Sequence, residues 1–335
     1  MTTDPILLIG GSGVVGLQTA QFLRAAHPDV ALLIGGRDLT KVKKAAAEIG
    51  NAEGLLLDFA ADDLGLGKRP VSAVAIFYAD EKIAGLRFAQ ARGVPHISIS
   101  SGIYEIAPEV ATYMHKPDAA PVVLGSEWLV GATTVPTLEF AKMFSQVHKI
   151  VIGALVDEQD TGGPAVAADF ERLTRLMPAA LARRDSAYIW RVGDDAKAVF
   201  RAVDGTPMMA TGFSSIDIVG LATATGAPDV EFNIAVGVSS TRRRGEPMSA
   251  EIIIELTGKD RAGHPLRTRH ALVHPKGSAP LTAVGVAMIL ERLIGLDGKP
   301  PTPAGLYFPY QLLEYDAYTT RLNASGGKVQ TLETQ

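Results

Sequence analysis

Ile6-Leu7-Leu8-Ile9-Gly10-Gly11-Ser12-Gly13-Val14-Val15-Gly16 is a short apolar run that passes into a glycine-rich turn. The run has the length and composition of a buried strand, and the glycines mark a turn that opens a helix. A helix N-terminus carries unpaired N–H groups and the positive end of the helix dipole, so it attracts phosphate. At this spacing Gly11 permits the turn, Gly13 lets a pyrophosphate approach the backbone, and Gly16 lets the helix lie close on the sheet. Gly11, Ser12, Gly13, Val14 and Val15 are therefore the expected pyrophosphate contacts of a dinucleotide site.

A glycine fingerprint gains meaning from its setting. Val15, Thr19, Phe22, Leu23 and Ala26 fall on one helical stripe, His27-Pro28-Asp29 breaks it, and residues 30–34 read as a second strand. Beyond it, where a carboxylate would hold the ribose 2′-hydroxyl of NAD, stands Gly35-Gly36-Arg37. The Arg37 guanidinium can fork onto a 2′-phosphate, and no carboxylate precedes it to repel that group. The expected cofactor is NADP(H), with Lys41 adding positive field. The alternative leaves Arg37 as a solvated charge at a strand end and gives Asp38 the cap of the next helix.

Residues 38–49 read as a helix with Val42, Ala45, Ala46 and Ile49 inward and Gly50 at its stop. Strands follow at 55–58, 71–77, 96–100 and 121–124, and a helix marked by Ile83, Leu86 and Ala89 ends at Gly93. Strands alternating with helices imply an α/β protein with a doubly wound parallel sheet of the Rossmann type, which binds ligands at the carboxyl ends of its strands. Asp58 and Phe59 then sit against the adenine, although Asp58 equally suits the cap of the turn after it. Tyr78, Ala79 and Ser100 join the cofactor contacts. Tyr104 and Glu127, each just past a strand, are the candidates for proton transfer or iminium stabilisation; a packed aromatic and a helix-proximal charge are the competing roles.

The pattern changes near residue 130. Thr133-Thr134 with Pro136 opens a helix, 150–156 is a strand, and Val166, Phe170, Leu173 and Met177 line a helix begun near Thr161. Segments 198–203, 215–219, 230–238 and 251–256 read as strands of a largely antiparallel sheet. This gives a second, α+β domain over 131–299, for substrate binding and dimer formation, beside a nucleotide domain of residues 1–130 completed by 300–335. Arg242-Arg243-Arg244 beside Gly245 reads as a solvated hairpin loop, with carboxylate binding as the minority option. Asp157, Glu158 and Asp160 form an acidic group that could meet a substrate amine or lie in a solvated loop. Val286, Ile289, Leu290, Leu293 and Ile294 mark a helix that stops at Gly295, and Tyr307, Phe308, Tyr310 and Tyr315 are expected to cover the first domain's core.

Composition narrows the function classes. The 335 residues are 47% hydrophobic and 20% charged, as in a globular protein, and the net charge of -4 offers no basic surface to nucleic acid. No apolar run spans a membrane and no basic leader precedes the first strand, so the expectation is a cytoplasmic protein with no membrane partner. The lack of cysteine removes every mechanism that needs a thiol nucleophile. Tyr78-Ala79-Asp80-Glu81-Lys82 matches the short-chain reductase pair only at a strand end, where that chemistry does not place it. His270 and His274 have the spacing of two exposed strand residues rather than of zinc ligands.

The chain resembles the saccharopine dehydrogenase-like family in its glycine turn from Ile9 to Gly16 and in Gly36-Arg37-Asp38-Leu39-Thr40-Lys41. The resemblance continues in the polar end of the 93–102 stretch, in Thr282-Ala283-Val284-Gly285 and in Gly305-Leu306-Tyr307-Phe308-Pro309. It implies a nucleotide domain completed by the C-terminal segment, an inserted substrate domain, and hydride exchange with a carbon–nitrogen double bond. The expectation is an NADPH-dependent reductase of a small imine or carbonyl substrate, assembled as a homodimer. An enoyl or ketone reductase of the same fold, and an NADP(H)-sensing regulator without turnover, are the alternatives.

Overall fold

The computed structural model describes residues 4–99, 102–103, 105–161, 168, 171–172, 175 and 179–334. The chain divides into two compact units: Met1–Ser126 with Thr282–Leu313, and Glu127–Leu281 with Glu314–Gln335.

The first unit runs β1 (Ile6–Ile9), α1 (Val14–Ala26), β2 (Leu32–Gly36), α2 (Leu39–Ile49), β3 (Ala52–Leu56), β4 (Ala73–Ile76), α3 (Ala84–Arg92), β5 (His96–Ser98), α4 (Ile106–Met114) and β6 (Pro121–Leu124). A late strand, β15 (Gly305–Tyr307), joins the same sheet beside β6. The strand order is β15-β6-β5-β4-β1-β2-β3, parallel throughout. From β1 the chain winds outward through β2 and β3, then returns to lay β4 on β1's other side. The topological switch point therefore lies between β1 and β4, where such sheets bind ligands. Both strands are buried along their full length, which is why Ile-Leu-Leu-Ile and Ala-Val-Ala-Ile carry no polar alternation.

Local chemistry explains the helices. Asp38 caps α2, and Val42, Ala45, Ala46 and Ile49 are buried as their spacing predicts. On α1 the buried stripe is Gly16, Thr19, Ala20 and Leu23. It is rotated from the expected one because Gly16 is pressed against the glycine turn, leaving Val15 and Phe22 half-buried and Ala26 exposed. Strand β3 begins and ends earlier than expected, which leaves Leu57 buried at its exit and Asp58 in the following turn. Helix α4 was not anticipated: Pro108 reads as a breaker, yet proline is tolerated in a helix's first turn.

The second unit is built on a mixed sheet. Its path is β10 (Lys197–Arg201), β11 (Pro207–Gly212), β12 (Asp229–Gly237), β7 (Phe144–Asp157), β13 (Ala250–Asp260), β14 (Pro265–His274) and β16 (Lys328–Leu332). The hairpin of β8 (Ala180–Arg184) and β9 (Ala187–Arg191) joins β12 off this path. The β12–β7 pair is parallel and the other described pairs are antiparallel. Leu155, Phe200, Ala210, Ala235, Ile253 and Val273 meet in one apolar cluster. Its helices include α5 (Thr134–Ala141), α6 (Asp217–Thr225) and α8 (Tyr315–Ser325), while α7 (Ala279–Ile294) carries the chain into the first unit.

Several expectations are corrected here. Residues 215–219 are not a strand: α6 starts at Asp217, whose carboxylate is held by tertiary partners that override the β-branched alternation of Ile216 and Ile218. Residues 282–299 belong to the first unit, because α7 is apolar on almost every side and is buried as such. Residues 314–335 belong to the second, where β16 pairs with β14. Tyr315 accordingly packs on Phe140 of the second unit, 6.2 Å between ring centres, and not on the first unit's core. Strands β8, β9, β11, β15 and β16 have no counterpart in the sequence reading, and β14 has one only around His270 and His274. The expected helix carrying Val166, Phe170, Leu173 and Met177 lies outside the described residues.

Candidate functional site

The glycine turn is closed by its own backbone. Gly10 N–H donates to Gly35 O at 2.8 Å, Gly11 N–H to Leu8 O at 3.2 Å, and Gly13 N–H to Gly10 O at 2.9 Å. Gly10, at φ +82°, occupies the left-handed region, a role expected of Gly11. Gly11 is needed for a different reason: a Cβ there would lie 2.9 Å from the Leu8 Cβ. A Cβ on Gly16 would lie 2.6 Å from the Gly11 Cα, so helix and turn touch backbone to backbone. At Gly13 a Cβ would lie 3.3 Å from Gly10 O, a close contact that the turn would have to shift slightly to absorb. Gly13 is the N-cap of α1; no side chain caps the helix and no acidic residue stands in its first turn. That combination leaves free donor character where a phosphate would sit.

The neighbouring strand ends surround this turn. At the end of β2, Asp38 Oδ1 accepts from the N–H groups of Thr40 at 3.0 Å and Lys41 at 3.1 Å, so its carboxylate belongs to the α2 cap. Arg37 is exposed and makes no hydrogen bond or ion pair among the described residues. Past β3, Asp58 Oδ1 accepts from Ala60 N–H at 2.9 Å, the capping alternative of the sequence reading. Phe59 meets Tyr78 edge to face, 6.0 Å between centres. Past β4, the Tyr78 ring lies 3.3 Å from where a Gly10 Cβ would be, which puts an aromatic wall beside the turn. Burial pushes the Tyr78 hydroxyl pKa up and Asp80 adds to the shift, while the Arg37 guanidinium opposes both. Ala79 is half-buried beside them, and Asp80 Oδ2 accepts from Gly85 N–H at 2.8 Å to open α3.

Gly11 to Val15, Arg37, Asp58, Phe59, Tyr78 and Ala79 thus gather at the carboxyl ends of four adjacent strands, β4, β1, β2 and β3. Ser100 and Tyr104 lie outside the described residues. At the end of β5 the buried Ser98 hydroxyl donates to Glu109 Oε2 at 2.8 Å. Sequence reasoning missed Glu109 because it missed α4; a glutamate one residue after a first-turn proline was the available signal.

The polar residues of the second unit are engaged with one another. Glu127 is buried, and the Thr134 hydroxyl donates to its Oε2 at 2.6 Å. The adjoining loop passes through Leu129, Val130 and Gly131 at φ +53°, +54° and +90°. It is held by the fully buried Asp217, which accepts from Trp128 N–H at 2.7 Å and from the hydroxyls of Thr133 and Ser215. Burial pushes the Asp217 pKa up against those hydrogen bonds. The arginine triplet is not a solvated hairpin: Ser240–Arg243 is a helical turn whose Arg242 binds Asp157 at 2.7 Å and Glu158 at 3.1 Å. Arg243 binds Asp204 at 2.7 Å and Arg244 binds Glu246 at 3.0 Å. Asp160 Oδ2 accepts from Ser278 N–H at 2.7 Å.

His270 and His274 are buried, contrary to expectation. His270 stacks on Phe140 at 3.6 Å, and His274 Nδ1 accepts from Lys276 N–H at 3.1 Å. Burial lowers both to about 4. Among the described residues no group of three or more His, Asp or Glu side chains could hold a metal ion, and no helix is long and apolar enough to cross a membrane.

A parallel sheet that reverses its winding at a glycine turn, with a second mixed sheet following, is a two-unit α/β architecture of the Rossmann class. No protein-family model matches the chain, and no curated protein matches it in sequence. Solved structures do match. The apo saccharopine dehydrogenase (L-Glu forming) from Saccharomyces cerevisiae superposes with a TM-score of 0.64 at 13% identity, over 98% of this chain and 100% of that one. An amine dehydrogenase from Mycobacterium smegmatis gives 0.54 at 14% identity, over 93% of this chain and 97% of that one. The fold is that of the saccharopine dehydrogenase-like Rossmann proteins.

Proposed function

We propose that this protein is an NADP(H)-dependent oxidoreductase that reduces a small imine or carbonyl compound. The observation that carries the coenzyme choice is Arg37, an exposed guanidinium without a protein partner among the described residues, one strand away from an uncapped glycine turn. Gly11, Ser12, Gly13, Val14 and Val15 would hold the pyrophosphate, and Arg37 with Lys41 the 2′-phosphate. Asp58 and Phe59 would lie toward the adenine, with Tyr78, Ala79 and Ser100 toward the nicotinamide. The nicotinamide, when bound, supplies or takes the hydride.

Imine reduction asks least of the protein, because a protonated imine already carries its positive charge, whereas a ketone needs a donor for its developing alkoxide. Tyr104 and Glu127 are the proposed proton-handling residues. Two fold relatives named for saccharopine and for amines are consistent with a carbon–nitrogen substrate. We place the protein in the cytoplasm.

Calorimetry with NADPH and NADH tests the coenzyme, and NADPH consumption with imines, ketones and enoyl compounds at several pH values tests the reaction. Selective binding of NADPH followed by turnover of an imine is the expected result. No binding of either coenzyme overturns the proposal, and binding without turnover of any compound makes the protein a coenzyme sensor instead.

A further inference from the structure

Glu109 places a carboxylate in an apolar part of the first unit. It lies on α4, is buried, and accepts from the Ser98 hydroxyl at 2.8 Å, a hydrogen bond that favours its charged form. Register shows what stands around the pair. Strand β5 runs between β4 and β6, with Ser98 opposite Ile76 on one side and Leu124 on the other. Strand alternation sends all three side chains to one face, the face on which Val74 and Ile76 pack with Phe88 and Ala89 of α3. His96, two residues back on that face, is buried, and burial lowers its pKa to about 3, so it puts no positive charge beneath the carboxylate. Glu105, four residues before Glu109, is only half-buried, and its Oε2 accepts from Gly102 N–H at 2.7 Å. A buried carboxylate is costly to a fold, so its presence at a strand end calls for a use.

Ser98 is the last residue of β5, in the half of the sheet that such folds give to the second mononucleotide. Strands β1, β2 and β3, with the glycine turn and Arg37, suit the adenosine half, which leaves β4, β5 and β6 for the nicotinamide. We propose that Glu109, positioned by Ser98, sets the oxidation-state preference of the bound coenzyme, favouring the oxidised form. Hydride transfer to a protonated imine carries one hydrogen and two electrons from the reduced ring to the substrate carbon. The imine becomes a neutral amine, and the ring is left with a positive charge. A buried negative charge lowers the energy of that cation and leaves the neutral reduced ring almost untouched, so NADPH bound here parts with hydride more readily. Burial is what gives the carboxylate its reach, because water and salt would screen an exposed one over the same distance. The inference rests on the coenzyme reading above and adds a direction to it: the exchange between bound species is tilted toward reduced substrate.

Calorimetry of NADP+ and NADPH binding tests it without a substrate. Glu109→Gln keeps an oxygen that can accept from Ser98 but loses the charge. It is expected to weaken NADP+ relative to NADPH by roughly 5- to 10-fold, the effect of one unit charge acting through a protein-like dielectric. Glu109→Asp keeps the charge and should keep most of the wild-type ratio, while Ser98→Ala should move the ratio in the same direction as Glu109→Gln and by less. Glu48→Gln, at an exposed carboxylate on α2, should leave it unchanged. A purely structural role for Glu109 would weaken both coenzymes together or neither. Circular dichroism shows which variants fold; should Glu109→Gln fail, the ratio in Ser98→Ala decides. Binding of both coenzymes with an unmoved ratio in the folded variants overturns this proposal and leaves the coenzyme reading standing, whereas binding of neither coenzyme to the wild-type protein overturns the two together.

Discussion

Two arginine-bearing turns show what separates a binding site from a scaffold. Arg37 follows β2 in the first unit with no protein partner among the described residues, beside a helix that nothing caps. Arg242, Arg243 and Arg244 follow β12 in the second unit, and each has its carboxylate: Asp157, Asp204 and Glu246. In sequence the triplet is the louder signal. In the structure it is neutralised within the fold, and the single arginine is the one left for a ligand. Polar groups that the protein does not satisfy itself are the better guide to a site than their number.

The comparison can be broken most forcefully with acid. His270 and His274 in the second unit are lowered to about 4 by burial, against an ordinary value near 6.5. Below pH 6.5 the unfolded chain binds protons that the folded one refuses, so stability is complete above that pH and is lost as pH falls toward 4. The loss is expected to reach up to about 1.4 kcal/mol per pH unit for each histidine. Urea unfolding between pH 7 and 4 measures it, and His270→Phe should flatten the slope.

Next in size is Asp157→Ala, which leaves Arg242 with Glu158 alone and leaves unmet the buried Ser239 N–H that donates to Asp157 at 2.8 Å. Leaving that buried donor unmet is expected to cost about 1–3 kcal/mol in urea unfolding, with coenzyme affinity unchanged. Arg37→Ala should do the reverse: calorimetry is expected to show NADPH binding weakened by roughly 1.5–3 kcal/mol, little change for NADH, and a constant melting temperature without ligand. Gly13→Ala should also lower NADPH affinity, by about 10-fold or more, because its Cβ stands at the N-cap of α1, where a pyrophosphate has to approach the backbone. The smallest effect is expected of Arg244→Ala, whose pair with Glu246 is half-exposed on both sides; stability should change by under about 0.5 kcal/mol. An Arg244→Ala loss of NADPH binding equal to that of Arg37→Ala would erase the distinction.

The parts of the molecule that could be read in advance are those dictated by local chemistry. The glycine turn, the α2 stripe with its Asp38 cap, β6, and the stop of α7 at Gly295 (φ +76°) follow from short-range sterics and periodicity. The parts that could not be read depend on distant partners. Ser215-Ile216-Asp217-Ile218-Val219 alternates like a strand, but Trp128 N–H and Thr133 supply donors to Asp217 from nearly ninety positions away, and the segment starts a helix. His270 and His274 looked exposed because polar residues in a strand usually face water; Phe140 and α8 cover them. At the candidate site the turn and Arg37 were legible, while the uncapped state of α1 and the Tyr78 wall against Gly10 arise from the packing of separate strand ends.

The lone pairing of β15 with β6 has a bearing on how the chain is made. During synthesis Pro121–Leu124 emerges roughly 180 residues before Gly305–Tyr307, a lag of about ten to forty seconds at ribosomal speeds of ~5–20 residues per second. Throughout that interval an apolar strand flank awaits its mate in the crowded surroundings of translation, where such flanks invite misassembly. The nascent N-terminal half is thus the stage at which a chaperone has most to protect.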